Sequence, residues 1–395
     1  MKRHCLIPIL AALATITCLP NTASAIPAFQ RKTGVACNGC HYGATNKLTK
    51  LGWEFLNRGH RMAGEKATPP EDLSTQNFLQ YAGLSLGGNF TSKQKSPSSF
   101  ATSSIGLLAG GPVVANLSFY ANSTIYSSSG GTSNLSEAEV RYVSDIDKPD
   151  YWWVRAGNLE PQVLWLAKSG PTGTAAAASR QLGLGNTFSA TSATNYKGLS
   201  AGIGSKSGTM AEIGLVNGLG NTSPANNEKD QFATISHSLD ANNDMVGLYA
   251  YNGKFTYAAT GSGATAVPAW KDKYNRFGLL AQFMRPMYAI HGAYFTGKND
   301  VETGGSRHPK GWYAEADYNP QPNGTAFLRY DHETDDIPDN LVTAKTVKGA
   351  SNFNVGYVFR YHDFSRFGVT FSNLKNEGPG GSHLNQVVGS WSIYL

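Results

Sequence analysis

The sequence predicts a mainly β protein, in which a small helical segment at the N-terminus is fused to an antiparallel β-barrel of roughly 16 strands. Three observations carry that expectation. Beyond about residue 77 the pattern takes a period of two: Trp312, Ala314, Ala316 and Tyr318 alternate with Tyr313, Glu315 and Asp317, giving a strand one apolar and one largely polar face. The composition agrees, with 44 Gly, 19 Tyr and 18 Phe against only 15% charged residues. No apolar run after residue 25 reaches the length of a membrane helix, so a membrane location would require a closed barrel, which also pairs every backbone group in lipid.

Length and aromatic placement favour the barrel over a sandwich. At about 10 residues per strand and as many per connection, residues 77–395 suggest roughly 16 strands. Tyr151-Trp152-Trp153, Tyr288, Tyr294, Trp312, Tyr357 and Trp391 fall near segment ends, where an outer-membrane barrel carries its interfacial girdles. Alternating runs recur at 78–90, 113–122, 137–143, 196–203, 245–251, 277–284, 288–295, 326–330, 355–361 and 367–371. Asn217-Gly218, Asn252-Gly253 and Asn323-Gly324 read as hairpin turns, and 127–136, 170–180, 220–230 and 299–310 as loops. In the last run Val387, Gly389, Trp391, Ile393 and Leu395 share one face. Arg141, Arg155, Glu315, Asp317, Arg329 and Arg360 are expected inside, lining a polar lumen.

The N-terminal segment, residues 26–70, holds the chemistry. Ala36-Cys37-Asn38-Gly39-Cys40-His41 has the attachment spacing of a c-type haem: each thiol adds to one vinyl group, and the next imidazole becomes the proximal ligand. Cys37 and Cys40 are the expected anchors and His41 the axial base. Half a zinc site or a redox dithiol is the other use of such a pair, but zinc needs a second pair of ligands. Cys5 and Cys18 are not available for it, because residues 1–25 read as a signal peptide: basic Lys2 and Arg3, an apolar stretch, then Ala23-Ser24-Ala25. An uncleaved anchor is the competing reading, set against the short apolar run and Pro8.

After His41 the period becomes helical. Leu48, Leu51, Gly52, Phe55 and Leu56 form one face, Gly59 stops it, and the helix is expected to cover the haem with Gly52 in close approach and Phe55 against the ring. A sixth ligand can come from Met62, the first candidate, or from His60. Methionine would raise the reduction potential, histidine would lower it. A polar stretch at 66–76, with Pro69-Pro70 inside, contains the linker 71–76 and leads to the barrel, 77–395.

These residues carry a resemblance. The run from Pro27 to His41, followed by Leu48, Gly52, Phe55 and Gly59, resembles the head of the fused monohaem cytochrome-porins of the bacterial outer membrane, of which the iron-oxidising outer-membrane cytochromes are the best-known type. The resemblance is dense over 27–59 and architectural beyond. It implies one haem c on a small domain that plugs a barrel, with ferrous iron delivering electrons across the outer membrane to periplasmic carriers such as a soluble cytochrome.

Two functions follow as expectations. One is an electron-transfer cytochrome-porin working between an extracellular donor, Fe(II) by resemblance, and a periplasmic carrier; with iron as donor it is an Fe(II)-oxidising oxidoreductase. The other is an outer-membrane solute channel with a haem-bearing plug or redox-sensing segment. Lumen occupancy separates them. A soluble haem peroxidase would need a distal acid-base residue, for which His60 is the candidate. A net charge of +6 is too mild to argue for nucleic acid. Asp331, Glu333, Asp335, Asp336 and Asp339 read as an acidic loop able to attract cations. His237, His291, His308, His332, His362 and His383 show no mutual spacing that argues for a metal site.

Overall fold

The computed structural model describes residues 28–63, 65, 81–94, 96–114, 116–127, 132–167, 196–217, 229–240, 244–257, 270–301, 305–334, 349–361, 365–377 and 381–394. Three short helices come first: α1 (Ala28–Thr33), α2 (Cys37–Cys40) and α3 (Lys50–Asn57). The strands follow as β1 (Ala82–Lys93), β2 (Ser99–Val114), β3 (Leu117–Ser127), β4 (Thr132–Val143), β5 (Tyr151–Leu159), β6 (Tyr196–Gly204), β7 (Thr209–Val216), β8 (Asp230–Ser238) and β9 (Met245–Tyr257). The remainder are β10 (Trp270–Met284), β11 (Tyr288–Val301), β12 (Gly305–Arg307), β13 (Lys310–Gln321), β14 (Gly324–Thr334), β15 (Gly349–Tyr361), β16 (Ser365–Glu377) and β17 (His383–Tyr394).

Each strand pairs antiparallel with its neighbours, and β1 pairs with both β2 and β17, so the sheet closes on itself. Because β12 and β13 lie end to end beside β11, the 17 strands make 16 staves. At the closing seam Trp391 lies over Gly88, where a Cβ would sit 2.4 Å from the indole. Closure removes every exposed edge.

The period of two sorts side chains as the sequence predicts. Along β13, Trp312 and Tyr318 face outward while Tyr313, Glu315 and Asp317 are buried within. Tyr288 pairs with Tyr318 and Tyr294 with Trp312, which sets two outward aromatic levels about 20 Å apart. Outward Leu199, Ile213, Leu248, Leu279, Ile290 and Leu328 contribute to the exposed apolar wall, a surface suited to lipid. Among the described residues no helix is long and apolar enough to cross a membrane.

Several local expectations change. Asn252-Gly253 lies inside β9, since cross-strand pairing with β10 continues through it, whereas Asn323-Gly324 does turn from β13 into β14. The run 113–122 is broken at Asn116, and strand β4 already begins at Thr132 within the expected loop 127–136. Trp153 points into the barrel beside Val143 and Ile146; only Trp152 of that trio is exposed outside. Asp331 and Glu333 belong to β14 and face inward, while Asp335, Asp336 and Asp339 lie outside the described residues, as do the segments 1–25, 71–76 and 170–180.

Described residues of the N-terminal segment and of an inward turn pack inside the lumen. Residues 28–63 enter it from the end where the strands are joined by short turns, and a 3-10 turn at Gln162–Ala167, after β5, folds inward to meet them. Leu48, Trp53 and Leu56 of the plug share one buried cluster with Val163, Leu164 and Leu166 of that turn and with wall residues such as Tyr249, Phe295 and Tyr313. The lumen is thus polar on some walls and an apolar core on others, because it packs protein. Burial on this scale holds the plug: each large apolar side chain contributes about 1.5–3 kcal/mol.

Polar ties fix its orientation. The carbonyl at the C-terminus of α3 on Leu56 accepts from Arg141 Nη1 at 2.7 Å, and Arg58 donates to the carbonyls of Ile146 and Lys148 in the turn after β4. Ala44 N donates to Thr325 Oγ1 at 3.1 Å, and Tyr42 donates to the Arg285 carbonyl at 3.0 Å. Gly43, at φ +55°, approaches Thr325 so closely that a Cβ would meet its hydroxyl at 2.5 Å.

Candidate cofactor site

The Cys37–His41 segment is a tight unit. In α2 the His41 amide donates to the Cys37 carbonyl at 2.8 Å, and His41 then bridges to Leu48 as the chain doubles back into α3. Thr49 caps that helix, accepting from the Gly52 amide and donating through its hydroxyl to the Gly39 carbonyl at 2.6 Å. Gly52 lies against Cys40: an added Cβ would be 2.1 Å from its carbonyl oxygen. The sequence expectation was a close approach of Gly52 to the haem; the contact in the structure is to the motif's own backbone.

Cys37, Cys40 and His41 line one cavity of about 510 Å³, bounded by Phe29, Leu48, Phe55 and Leu56 of the plug and by Leu84, Leu108 and Tyr120 of the barrel wall. The two cysteines are not joined as a disulfide, and burial pushes the Cys40 thiol up from its ordinary pKa. Burial, with Arg360 and Arg366 nearby, lowers His41 to about 4, so the imidazole is neutral at physiological pH. Its Nδ1 is buried without a hydrogen-bond partner. An orphaned buried nitrogen is costly, and only a partner at Nδ1 itself, a metal or an acceptor, would compensate for it.

His60 also lines the cavity, and Met62 is not among the lining residues. Of the two sixth-ligand candidates the fold therefore brings the alternative, His60, to the site. The cause is local: Gly59 and His60 both take positive φ, +73° and +61°, so the chain turns sharply after α3 and directs His60 inward. Met62, one turn further, donates its amide to Glu65, which pairs with Lys32 at 2.7 Å. Burial, with Arg141 nearby, lowers His60 to about 3, again favouring a neutral ring able to bind metal.

Arg360 and Arg366 complete the site. They are direct partners across β15 and β16, and both line the cavity. Facing guanidinium groups repel, so an anionic group between them would be stabilised. Two thiols, two neutral imidazoles, an apolar enclosure and paired cations line one cavity, and these are the residue types that a covalently held haem would use. The sequence indicated Arg360 only as a lumen residue; Tyr120, Trp165 and Arg366 carried no signal before the strands were in register.

The fold defines a closed 16-stave antiparallel β-barrel of the kind that porins share. No protein-family profile and no curated protein matches the chain. Among solved structures it is similar to the outer-membrane channel DcaP of Acinetobacter baumannii (10% identity, 80% of this chain and 96% of that one, TM-score 0.58). It is also similar to the anion-selective porin of Comamonas acidovorans (15% identity, 80% and 98%, TM-score 0.57) and to OmpT of Vibrio cholerae (9%, 80% and 97%, TM-score 0.54). At these identities the likeness concerns the barrel fold.

Proposed function

We propose that the chain is an outer-membrane barrel whose lumen is closed by a plug bearing one haem c, and that it transfers electrons between an extracellular donor and a periplasmic carrier. The observation that carries this reading is the location of the cavity: Cys37, Cys40, His41 and His60 meet inside a lumen packed with protein. The likeness to porins speaks for a channel and lends electron transfer no support of its own. The protein packed inside the lumen is what favours electrons over solute.

In this reading Cys37 and Cys40 would anchor the group, and His41 and His60 would hold its iron. The haem supplies a one-electron Fe(II)/Fe(III) couple when bound. The chain's own work is to hold two imidazoles in fixed planes, to exclude water with Phe29, Leu48, Phe55 and Leu108, and to balance carboxylates with Arg360 and Arg366. Short turns face the periplasm in outer-membrane barrels. The plug then sits at the periplasmic end, where a soluble carrier docks. Ferrous iron is the donor that the family resemblance implies.

A second reading, a solute channel with a haem-bearing plug or redox-sensing segment, is favoured by the porin-type barrel itself. One experiment separates them. The haem-loaded chain is placed in sealed liposomes with anaerobic Fe(II) outside, and the haem bands and ionic conductance are followed together. Reduction by external iron without steady conductance supports electron transfer. Steady conductance, with the haem reduced by dithionite and not by iron, supports the channel and removes the first reading.

A further inference from the structure

A second cluster lies on the lumen wall, apart from the cysteine cavity and lined by none of its residues. His291 on β11 is the direct partner of Glu315 on β13, and Asp317 is two residues further along the same inward face. The side chains of all three have no solvent exposure. His291 Nε2 is 2.8 Å from Glu315 Oε1 and 3.5 Å from Asp317 Oδ2, and one ligand atom from each residue falls within 4.8 Å of the others.

The charges around the cluster leave Asp317 the least supported carboxylate, with His291 at 3.5 Å as its ion-pair contact. Arg329 takes Asp331 at 2.8 Å and reaches Glu315 at 3.4 Å, and Glu315 also has His291. Lys47 of the plug approaches His291 from the other side, its Nζ 2.7 Å from Nδ1, and the Tyr313 hydroxyl is 3.4 Å from the same nitrogen. Asp317 is 2% exposed, yet neither of its oxygens has a hydrogen-bond partner. A buried carboxylate in that state is strongly unfavourable unless a cation completes it.

We propose that His291, Glu315 and Asp317 form a buried divalent-cation site. One imidazole nitrogen with two carboxylates is the donor set of first-row ions such as Mn(II), Fe(II), Co(II) and Zn(II). Lys47 is the built-in competitor: its ammonium balances the same carboxylates when no ion is bound. The site also links plug and wall, since Lys47 belongs to the plug and the three ligands to the barrel. The assignment does not depend on the haem.

The test uses the tag-free full chain in detergent, stripped with a chelator and dialysed against Co(II), an ion distinct from haem iron. The wild type is expected to retain one Co(II) per chain with visible ligand-field absorption, and to melt higher with the ion than without it. Asp317→Asn keeps the volume, removes the least supported charge and is expected to weaken Co(II) binding at least tenfold and abolish the melting shift. Lys47→Met is expected to bind more tightly than the wild type. Equal Co(II) retention by wild type and Asp317→Asn, or no retention by either, would overturn the site. So would a higher melting point for Asp317→Asn with neither protein responding to the ion.

Discussion

The imidazole of His60 stacks on the ring of Tyr120, with centroids 4.3 Å apart and planes 12° from parallel. Phe29 stacks on it as well, at 5.5 Å and 15°, and Phe55 meets it edge-on at 5.7 Å. Three rings from α1, α3 and β3 thus set the plane of one histidine. The backbone does the same: the His60 amide donates to Phe55 and its carbonyl accepts from Lys32 Nζ at 3.1 Å.

That orientation predicts the sixth ligand. In the haem-loaded chain, His60→Ala is expected to convert low-spin iron to a high-spin, five-coordinate form, whereas Met62→Ala leaves the optical and electron paramagnetic spectra unchanged. His60→Met should raise the reduction potential. An unchanged spectrum in His60→Ala with a high-spin form in Met62→Ala would restore the methionine.

Gly52 predicts a steric effect. Its Cβ position is 2.1 Å from the Cys40 carbonyl, which is backbone held by the Thr49 amide, so Gly52→Ala must shift α3 or α2. Overpacking of this kind costs about 1–3 kcal/mol. The variant is expected to incorporate less haem and to melt lower, measured by the haem-to-protein ratio and by thermal unfolding. Leu51→Ala, off the cavity lining, is the comparison and should incorporate haem normally.

Much of this was readable in residue spacing. Alternation in 312–318 gave strand and facing together, and Cys37, Cys40 and His41, which the structure brings to one cavity, were legible because they stand within five consecutive residues. What escaped was non-local. His291 and Glu315 are 24 positions apart, and only the β11–β13 register makes them neighbours, so scattered histidines gave no metal signal. Met62 was the first candidate for the sixth ligand and His60 the alternative, because positive φ at a non-glycine residue, which turns His60 inward, cannot be read from its identity. Asn252-Gly253 has hairpin chemistry, but ladder pairing on both sides overrides it.

Arg155 predicts the behaviour of the wall that supports the inward turn. It joins Glu139, at 2.8 Å, to Glu212, and donates to the Glu160 carbonyl at 2.7 Å, while Glu212 accepts from the Gln162 amide at 3.1 Å. All of these groups are buried. Arg155→Met strips the shared cation from two carboxylates, a change that costs about 3–5 kcal/mol when one partner of a buried pair is lost. Denaturant unfolding in detergent should show that loss, together with easier proteolysis after residue 160. Replacing Arg155 and Glu212 together by apolar residues, with Glu139 kept as the partner of Arg141, should recover part of it.

Arg360 and Arg366 predict a redox effect whose sign is fixed by charge. Facing each other across β15 and β16 at the cavity edge, with Arg366 also donating to Asn46 Oδ1 at 2.7 Å, they place positive charge beside His41. Positive charge disfavours the more positive, oxidised state of a bound iron. Arg366→Gln is therefore expected to lower the reduction potential, and the difference from wild type should shrink as salt is added, because the residue is partly exposed and screened. Arg366→Lys retains the charge and should stay close to the wild-type potential. Spectroelectrochemical titration at low and high salt checks both; equal potentials for wild type and Arg366→Gln at low salt would mean that the pair serves the wall and not the cofactor.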